Sequence, residues 1–219
     1  MRSVLAFLRR HQWSLPLGVG AALFFARLAG EVSEGELDSF DAAVSRTVDT
    51  WRGSLDSVML ALTNFGGPIG MTSVAAVLAS VLVARRRWKE LRFAVVGAGG
   101  ALLLNVALKA FFQRPRPGAS LLYIVSSPTS FSFPSGHAMG STGVLATAAI
   151  ALVVMGRSVI WRVAVVAVAG LLVVGIAASR VYFGVHYPSD VLGGILAGGA
   201  WVAAATGWFY PRLLPGEAG

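Results

Sequence analysis

Three short stretches of this chain carry the side chains that do chemistry. "KAFFQRPRP" sets Lys109 ahead of the pair Arg116-Pro117 with six residues between them. "PSGH" joins Pro134, Ser135, Gly136 and His137, and "SRVYFGVHYPSD" spaces Arg180, His186 and Asp190. Lysine and arginine supply fixed positive charge for an anion, and the planar arginine forks suit two-pronged contact with its oxygens. A serine after proline can cap a helix whose first N–H groups form an anion site, and a glycine there lets a ligand approach the backbone. Pro188 suits a first helical turn, so Asp190 can reach back to His186 and fix its tautomer. Taken alone, each residue has a plainer role. Lys109 and Arg180 can snorkel to a membrane surface, and His186 with Asp190 can be a cap that orders a loop.

The elements that must position these residues are apolar. Hydrophobic residues make up 56% of the 219 and charged residues 13%, against roughly a quarter in a soluble domain. Mean hydropathy is +0.72. Stretches able to cross a bilayer fall at about 14–30, 68–84, 93–108, 137–155, 163–178 and 191–210. They lack the alternation of barrel strands, and open strands leave backbone groups unpaired in lipid. The expected fold class is therefore all-α, a six-span bundle forming a single membrane domain over 1–219. The segment "MRSVLAFLRRHQW" reads as a retained, partly amphipathic lead-in, because Arg9 and Arg10 interrupt any signal-peptide core. The chain has no cysteine, which excludes disulfides and thiol-ligated metals.

Basic residues set the orientation. Arg2, Arg9, Arg10, the run "RRRWKELR" from Arg85 to Arg92, Arg157, Arg162 and Arg212 gather on one side, with Trp13, Trp88, Trp161 and Trp208 near it. The segment 31–66 on the other side holds seven of the ten acidic residues, from Glu31 to Asp56. Both termini are thus expected in the cytoplasm, and the +8 charge is a topology signal rather than a nucleic-acid footprint. Odd spans end outside and even spans begin outside, so the three stretches meet on the outer face. That convergence outweighs the plainer roles: charges near the membrane core cost about 2.5–3.5 kcal/mol each on insertion scales when central.

Lys109-x6-Arg116-Pro117, Pro134-Ser135-Gly136-His137 and Ser179-Arg180-x5-His186-x3-Asp190 resemble, in full and in order, the three signature motifs of the type 2 phosphatidic acid phosphatase family. The likeness makes 109–190 the catalytic-motif region. It implies His186 as nucleophile, Asp190 as its orienting carboxylate and His137 as the acid on the leaving group. Lys109, Arg116, Ser135, Gly136 and Arg180 are implied as phosphate ligands. The chemistry agrees, because a transferring phosphoryl group needs fixed positive charge on its oxygens.

The expected protein is a cell-membrane phosphatase acting on a lipid phosphomonoester or pyrophosphate at the outer face through a phosphohistidine. Undecaprenyl pyrophosphate, phosphatidylglycerophosphate and phosphatidic acid all remain open as substrates. A phosphate-binding lipid carrier and a vanadate-dependent haloperoxidase are the alternatives. No cofactor, no metal and no nucleic-acid partner is expected, since Asp190 is the only carboxylate in the motifs. Arg27 and Arg114 are read as headgroup or loop contacts. Residues 40–65 show helical apolar spacing and read as an amphipathic helix at the outer interface. The loop "GASLLYIVSSPTSFSF" reads as packing more than as a lip for lipid entry.

Overall fold

A computed structural model describes residues 14–117, 130–156 and 158–213. The expected lead-in at 1–13, most of the loop after Pro117, and Arg157 lie outside them. The described residues are helical, with no strand. The helices are α1 (Ser14–Glu34), α2 (Asp38–Asp49), α3 (Asp56–Phe65), α4 (Pro68–Ala84), α5 (Trp88–Ala94), α6 (Gly100–Phe112), α7 (Gly136–Met155), α8 (Val159–Tyr182) and α9 (Pro188–Leu213).

Among the described residues, four helical stretches are long and apolar enough to cross a membrane: Trp88–Phe112, Gly136–Met155, Val159–Tyr182 and Pro188–Phe209. A fifth is added if α3 and α4, bent by 53° at the Gly66–Gly67 break, count as one. The sequence reading expects six. The stretch not among them is α1, which carries Arg27 paired with Glu31 at 2.9 Å. This exposed i,i+4 pair is the local partner that the headgroup reading of Arg27 overlooks. The amphipathic stretch 40–65 is likewise two helices rather than one. In the turn between them Gly53 adopts φ +89°, a left-handed conformation that glycine permits, and its N–H donates to Asp56 Oδ1 at 3.0 Å.

α7 is the most enclosed of the candidate spans. Water drives little association between helices inside a bilayer, so close packing of small residues must hold them. On α9 a methyl added at Gly194 would meet the Ser135 carbonyl at 2.8 Å, and one at Gly198 the Met139 carbonyl at 3.0 Å. These two glycines, one turn apart, bring the starts of α7 and α9 together. The chain then links them directly, with Ser135 N–H donating to the Asp190 carbonyl at 2.9 Å. Met71, Val144, Leu145, Val173 and Ile176 fill the centre of the bundle. Leu17, Phe24, Leu103, Phe111, Ile160 and Leu171 stay exposed on its flanks, as lipid-facing side chains do.

A five-residue π-helical turn, Val95–Gly99, joins α5 to α6. Trp201 of α9 donates its indole N–H to the Val96 carbonyl at 3.0 Å, and Gly100 leaves room for its ring. Such turns widen a helix locally. Here the turn borders the cavity that opens between α4 and α6.

Candidate active site

α7 starts where sequence chemistry puts its start. Ser135 is the N-cap, and its buried hydroxyl accepts the Ala138 N–H at 3.5 Å. The next two N–H groups, on Gly136 and His137, have no intrahelical acceptor and none among the described residues. A methyl on Gly136 would lie 3.3 Å from Asn105 Oδ1 and 3.8 Å from Lys109 Cε, taking the space beside the lysine. Asn105 itself donates to the Pro134 carbonyl at 3.3 Å, tying α6 to this corner. The preceding Phe133-Pro134 peptide is cis.

His186 stands between α8 and α9, fully enclosed. Its Nδ1 lies 3.3 Å from Asp190 Oδ2 and 3.3 Å from Ser132 Oγ. Its Nε2 faces the other way, 3.5 Å from Arg116 Nη1. Burial pushes the imidazole down to about 4 against the pull of its hydrogen bond to Asp190, so the ring is neutral at pH 7. A neutral imidazole held at Nδ1 presents a lone pair at Nε2.

Asp190 is over-determined. Besides His186, its Oδ2 accepts the Ser132 hydroxyl and the Tyr187 N–H at 2.9 Å. Its Oδ1 accepts Arg114 Nη1 at 2.8 Å. Ser132 escapes the sequence reading although it sits two residues ahead of Pro134. Serines before a helix are common, and nothing local marks this one. Arg114 is not the headgroup or loop contact that its position suggests. It is largely buried, because two carboxylates reach it from distant helices.

Three cations come together on the open side of His186. Arg116 is braced by the Ser130 carbonyl at 2.8 Å, the Ser130 hydroxyl at 2.7 Å and the Val185 carbonyl at 3.0 Å. Lys109 donates to the carbonyls of Phe131 and Ser132. Arg180 is 1% exposed and donates from Nη1 to the Thr63 hydroxyl of α3. Its buried Nε has no acceptor at all among the described residues. None of the three makes an ion pair there. His137 reaches the Thr63 backbone, so Thr63 touches both the arginine and the second histidine.

Lys109, Arg116, Gly136, His137, Arg180 and His186 all line one cavity of about 770 Å³. Ser135 and Asp190 are not on its wall: the serine is spent on the cap, and the aspartate stands behind His186. From the charged end the cavity continues between α4 and α6, past Met71, Ala75, Leu78, Val95 and Leu102, with Val144 and Thr147 of α7 at its floor. From Pro68 to Ala79 that wall runs about 16 Å at 1.5 Å per residue, roughly half of a ~30 Å hydrocarbon core. A polar mouth with an apolar groove of this length fits a headgroup joined to a hydrocarbon chain.

Known proteins share this layout. The sequence pattern of the PAP2 superfamily matches residues 90–213. Phosphatidylglycerophosphatase B of Bacillus subtilis is 34% identical over 186 residues, 82% of this chain and 88% of that protein. Decaprenylphosphoryl-5-phosphoribose phosphatase of Mycobacterium tuberculosis is 33% identical over 78% of this chain and 89% of its own. The crystal structure of a transmembrane PAP2-type phosphatidylglycerolphosphate phosphatase from Bacillus subtilis superposes with a TM-score of 0.77 at 31% identity, covering 89% of this chain and 96% of that one. The resemblance carried by the three motifs thus extends over the helices that bring them together, and the chain belongs to the PAP2 superfamily as an integral-membrane lipid phosphatase.

Proposed function

We propose that the protein removes the terminal phosphate of a lipid phosphomonoester in two steps. His186 Nε2 attacks phosphorus; a P–N bond forms as the P–O bond to the lipid breaks, and His137 gives the leaving alkoxide its proton. Water then attacks the phosphohistidine and passes its proton to His137, the P–N bond breaks, and phosphate leaves. Lys109, Arg116 and Arg180, with the N–H groups of Gly136 and His137, hold the phosphoryl oxygens as their charge redistributes. Asp190 keeps the ring in its attacking tautomer and stabilises the positive charge it acquires. One observation carries this reading: among the described residues, buried Arg180 Nε lacks an acceptor and the three cations of the cavity have no carboxylate partner. A buried unpaired donor is costly, and a phosphate oxygen removes that cost.

Among the open substrates, phosphatidylglycerophosphate comes first, since relatives covering most of the chain are phosphatases named for it. Release of phosphate from phosphatidylglycerophosphate, phosphatidic acid and undecaprenyl pyrophosphate by the purified protein tests this ranking. Fastest turnover of the first is expected. Binding of all three without release would leave a carrier instead.

The reading also carries the membrane arrangement: α1 as a further crossing, six spans in all, both termini cytoplasmic and the cavity mouth at the outer face, with 1–219 as one domain. The lack of cysteine makes a clean assay. Thr50→Cys, in the acidic segment, should react with an impermeant thiol reagent on intact cells, and Ser158→Cys should not. The reverse pattern contradicts the orientation.

A further inference from the structure

Arg114 belongs to none of the three motifs and lines no part of the cavity, yet it is built into the site more firmly than the cations that do. Nη1 donates to Asp190 Oδ1 at 2.8 Å and to Ser189 Oγ at 2.8 Å, and Nη2 donates to Asp41 Oδ2 at 2.9 Å. The guanidinium also lies 4.2 Å over the Tyr187 ring and 3.8 Å from the exposed Asp38. Asp41, only 1% exposed, accepts the Ser189 N–H at 2.8 Å and the Ser189 hydroxyl at 2.6 Å. It comes from α2, outside the 90–213 match to the superfamily.

Two requirements meet at Asp190. Its oxygens must be fixed, because a carboxylate that rotates releases the tautomer of His186. It must also keep its negative charge available to the ring, and a bare arginine at Oδ1 draws that charge away. Arg114 meets the first requirement, with Ser132 and Tyr187 holding the other oxygen. Asp41 meets the second by neutralising Arg114 from its far side. A buried pair of this kind is an uncertain source of stability against hydrophobic packing, so its geometry asks for a role in specifying the site.

We propose that Asp41 and Arg114 are positioning residues for Asp190, Arg114 locking its orientation and Asp41 restoring its charge. The proposal rests on His186 as the nucleophile. It makes α2, remote in sequence from every motif, a working part of the active site.

Steady-state kinetics of the full-length protein in detergent, on p-nitrophenyl phosphate and on phosphatidic acid micelles, test it. Arg114→Met should lower kcat about 30- to 100-fold with KM within about twofold, since Arg114 touches no substrate. Asp41→Asn should lower kcat about tenfold, and the double variant should be no slower than Arg114→Met, the sign of one coupled unit. The acid limb of kcat/KM supplies a readout that a merely structural pair would not move. Without Arg114 the Asp190 charge is unopposed, the imidazolium is favoured, and the limb moves to higher pH. Without the Asp41 charge it moves to lower pH. Arg116, Arg180, His137, Lys109 and Asp190, which face His186 or share its cavity, are unchanged in both variants, so opposite shifts report this pair.

A rise in KM at unchanged kcat would overturn the proposal and return Arg114 to the substrate headgroup. Wild-type kcat and acid limb in folded Arg114→Met would also overturn it. If that protein does not elute as a single folded species, Arg114→Lys and Asp41→Asn decide, and wild-type kinetics in both are fatal to it. His186→Ala runs alongside. Turnover there contradicts the nucleophile itself, whereas loss of turnover there with a fully active Arg114→Met contradicts only the positioning pair.

Discussion

His186 divides the charged groups around it into two sets with opposite character. Behind Nδ1 every charge is answered: Asp190, Arg114 and Asp41 alternate in sign, and Ser132, Ser189 and Tyr187 take up the remaining hydrogen bonds. In front of Nε2, Lys109, Arg116 and Arg180 are braced by carbonyls and hydroxyls that leave their charge uncompensated. A satisfied network rigidifies, while an unsatisfied one stores binding energy for a ligand of the opposite sign. On the proposed mechanism the back of the site is scaffold for the ring, and the front is the receptor for phosphate. Each set includes a fully buried charge, Asp190 behind and Arg180 in front, so depth alone does not separate them; pairing does.

The largest effect is expected from breaking the back. Asp190→Asn keeps the shape of the side chain and inverts its hydrogen-bond character, and kcat should fall by about 10³- to 10⁴-fold in a protein that still elutes as folded, as assayed by phosphate release. Next comes the front. Arg180→Lys keeps a positive charge while losing the Nε donor, and kcat/KM should fall about 10²-fold, against the much smaller loss expected if charge were all that mattered.

A finer division of the front separates its cations from His137. If His137 protonates the leaving group, His137→Ala should slow phosphatidic acid at least about tenfold more than p-nitrophenyl phosphate, whose leaving group needs no proton. Equal losses on both would remove His137 from that role. The smallest effect is a displacement of the pH profile. If the unprotonated ring is the nucleophile, burial, which pushes it down to about 4, should put the acid limb of kcat/KM near pH 4. A limb at pH 6.5 would describe a solvated histidine, in conflict with the enclosure of His186.

The front of the site was legible in the sequence, and most of the back was not. Lys109, Arg116, His137, Arg180 and His186 stand in motifs short enough to read along the chain, and span polarity brings them to one face. The His186–Asp190 contact was legible too, because four residues at a helix start form a local unit. Arg114 and Asp41 meet across 73 residues, and Ser189 and Asp41 across 148. No periodicity links them, and a buried Asp41 on α2 looks like one more acid in an acidic segment. The four long spans from Trp88 onward were legible from apolar run length, with ends shifting by a few residues, whereas the stretch at 14–30 forms a helix that is not among them and the one at 68–84 counts only together with α3. The broken helix at 50–55 was not legible, since helical spacing continues across Gly53 and only its backbone conformation reveals the turn.

The roles proposed for the two sets require a covalent bond at the front of His186. The most direct measurement is to mix the protein in excess EDTA with lipid substrate carrying a ³²P-labelled terminal phosphate, quench at alkaline pH within milliseconds, and locate the label by peptide mapping. Acid-labile, alkali-stable ³²P is expected on the peptide containing His186, absent from His186→Ala and abolished by vanadate, which would occupy the same receptor as a mimic of phosphorus under attack. Turnover that proceeds with no label on His186, or label that forms only when magnesium is restored, would contradict it.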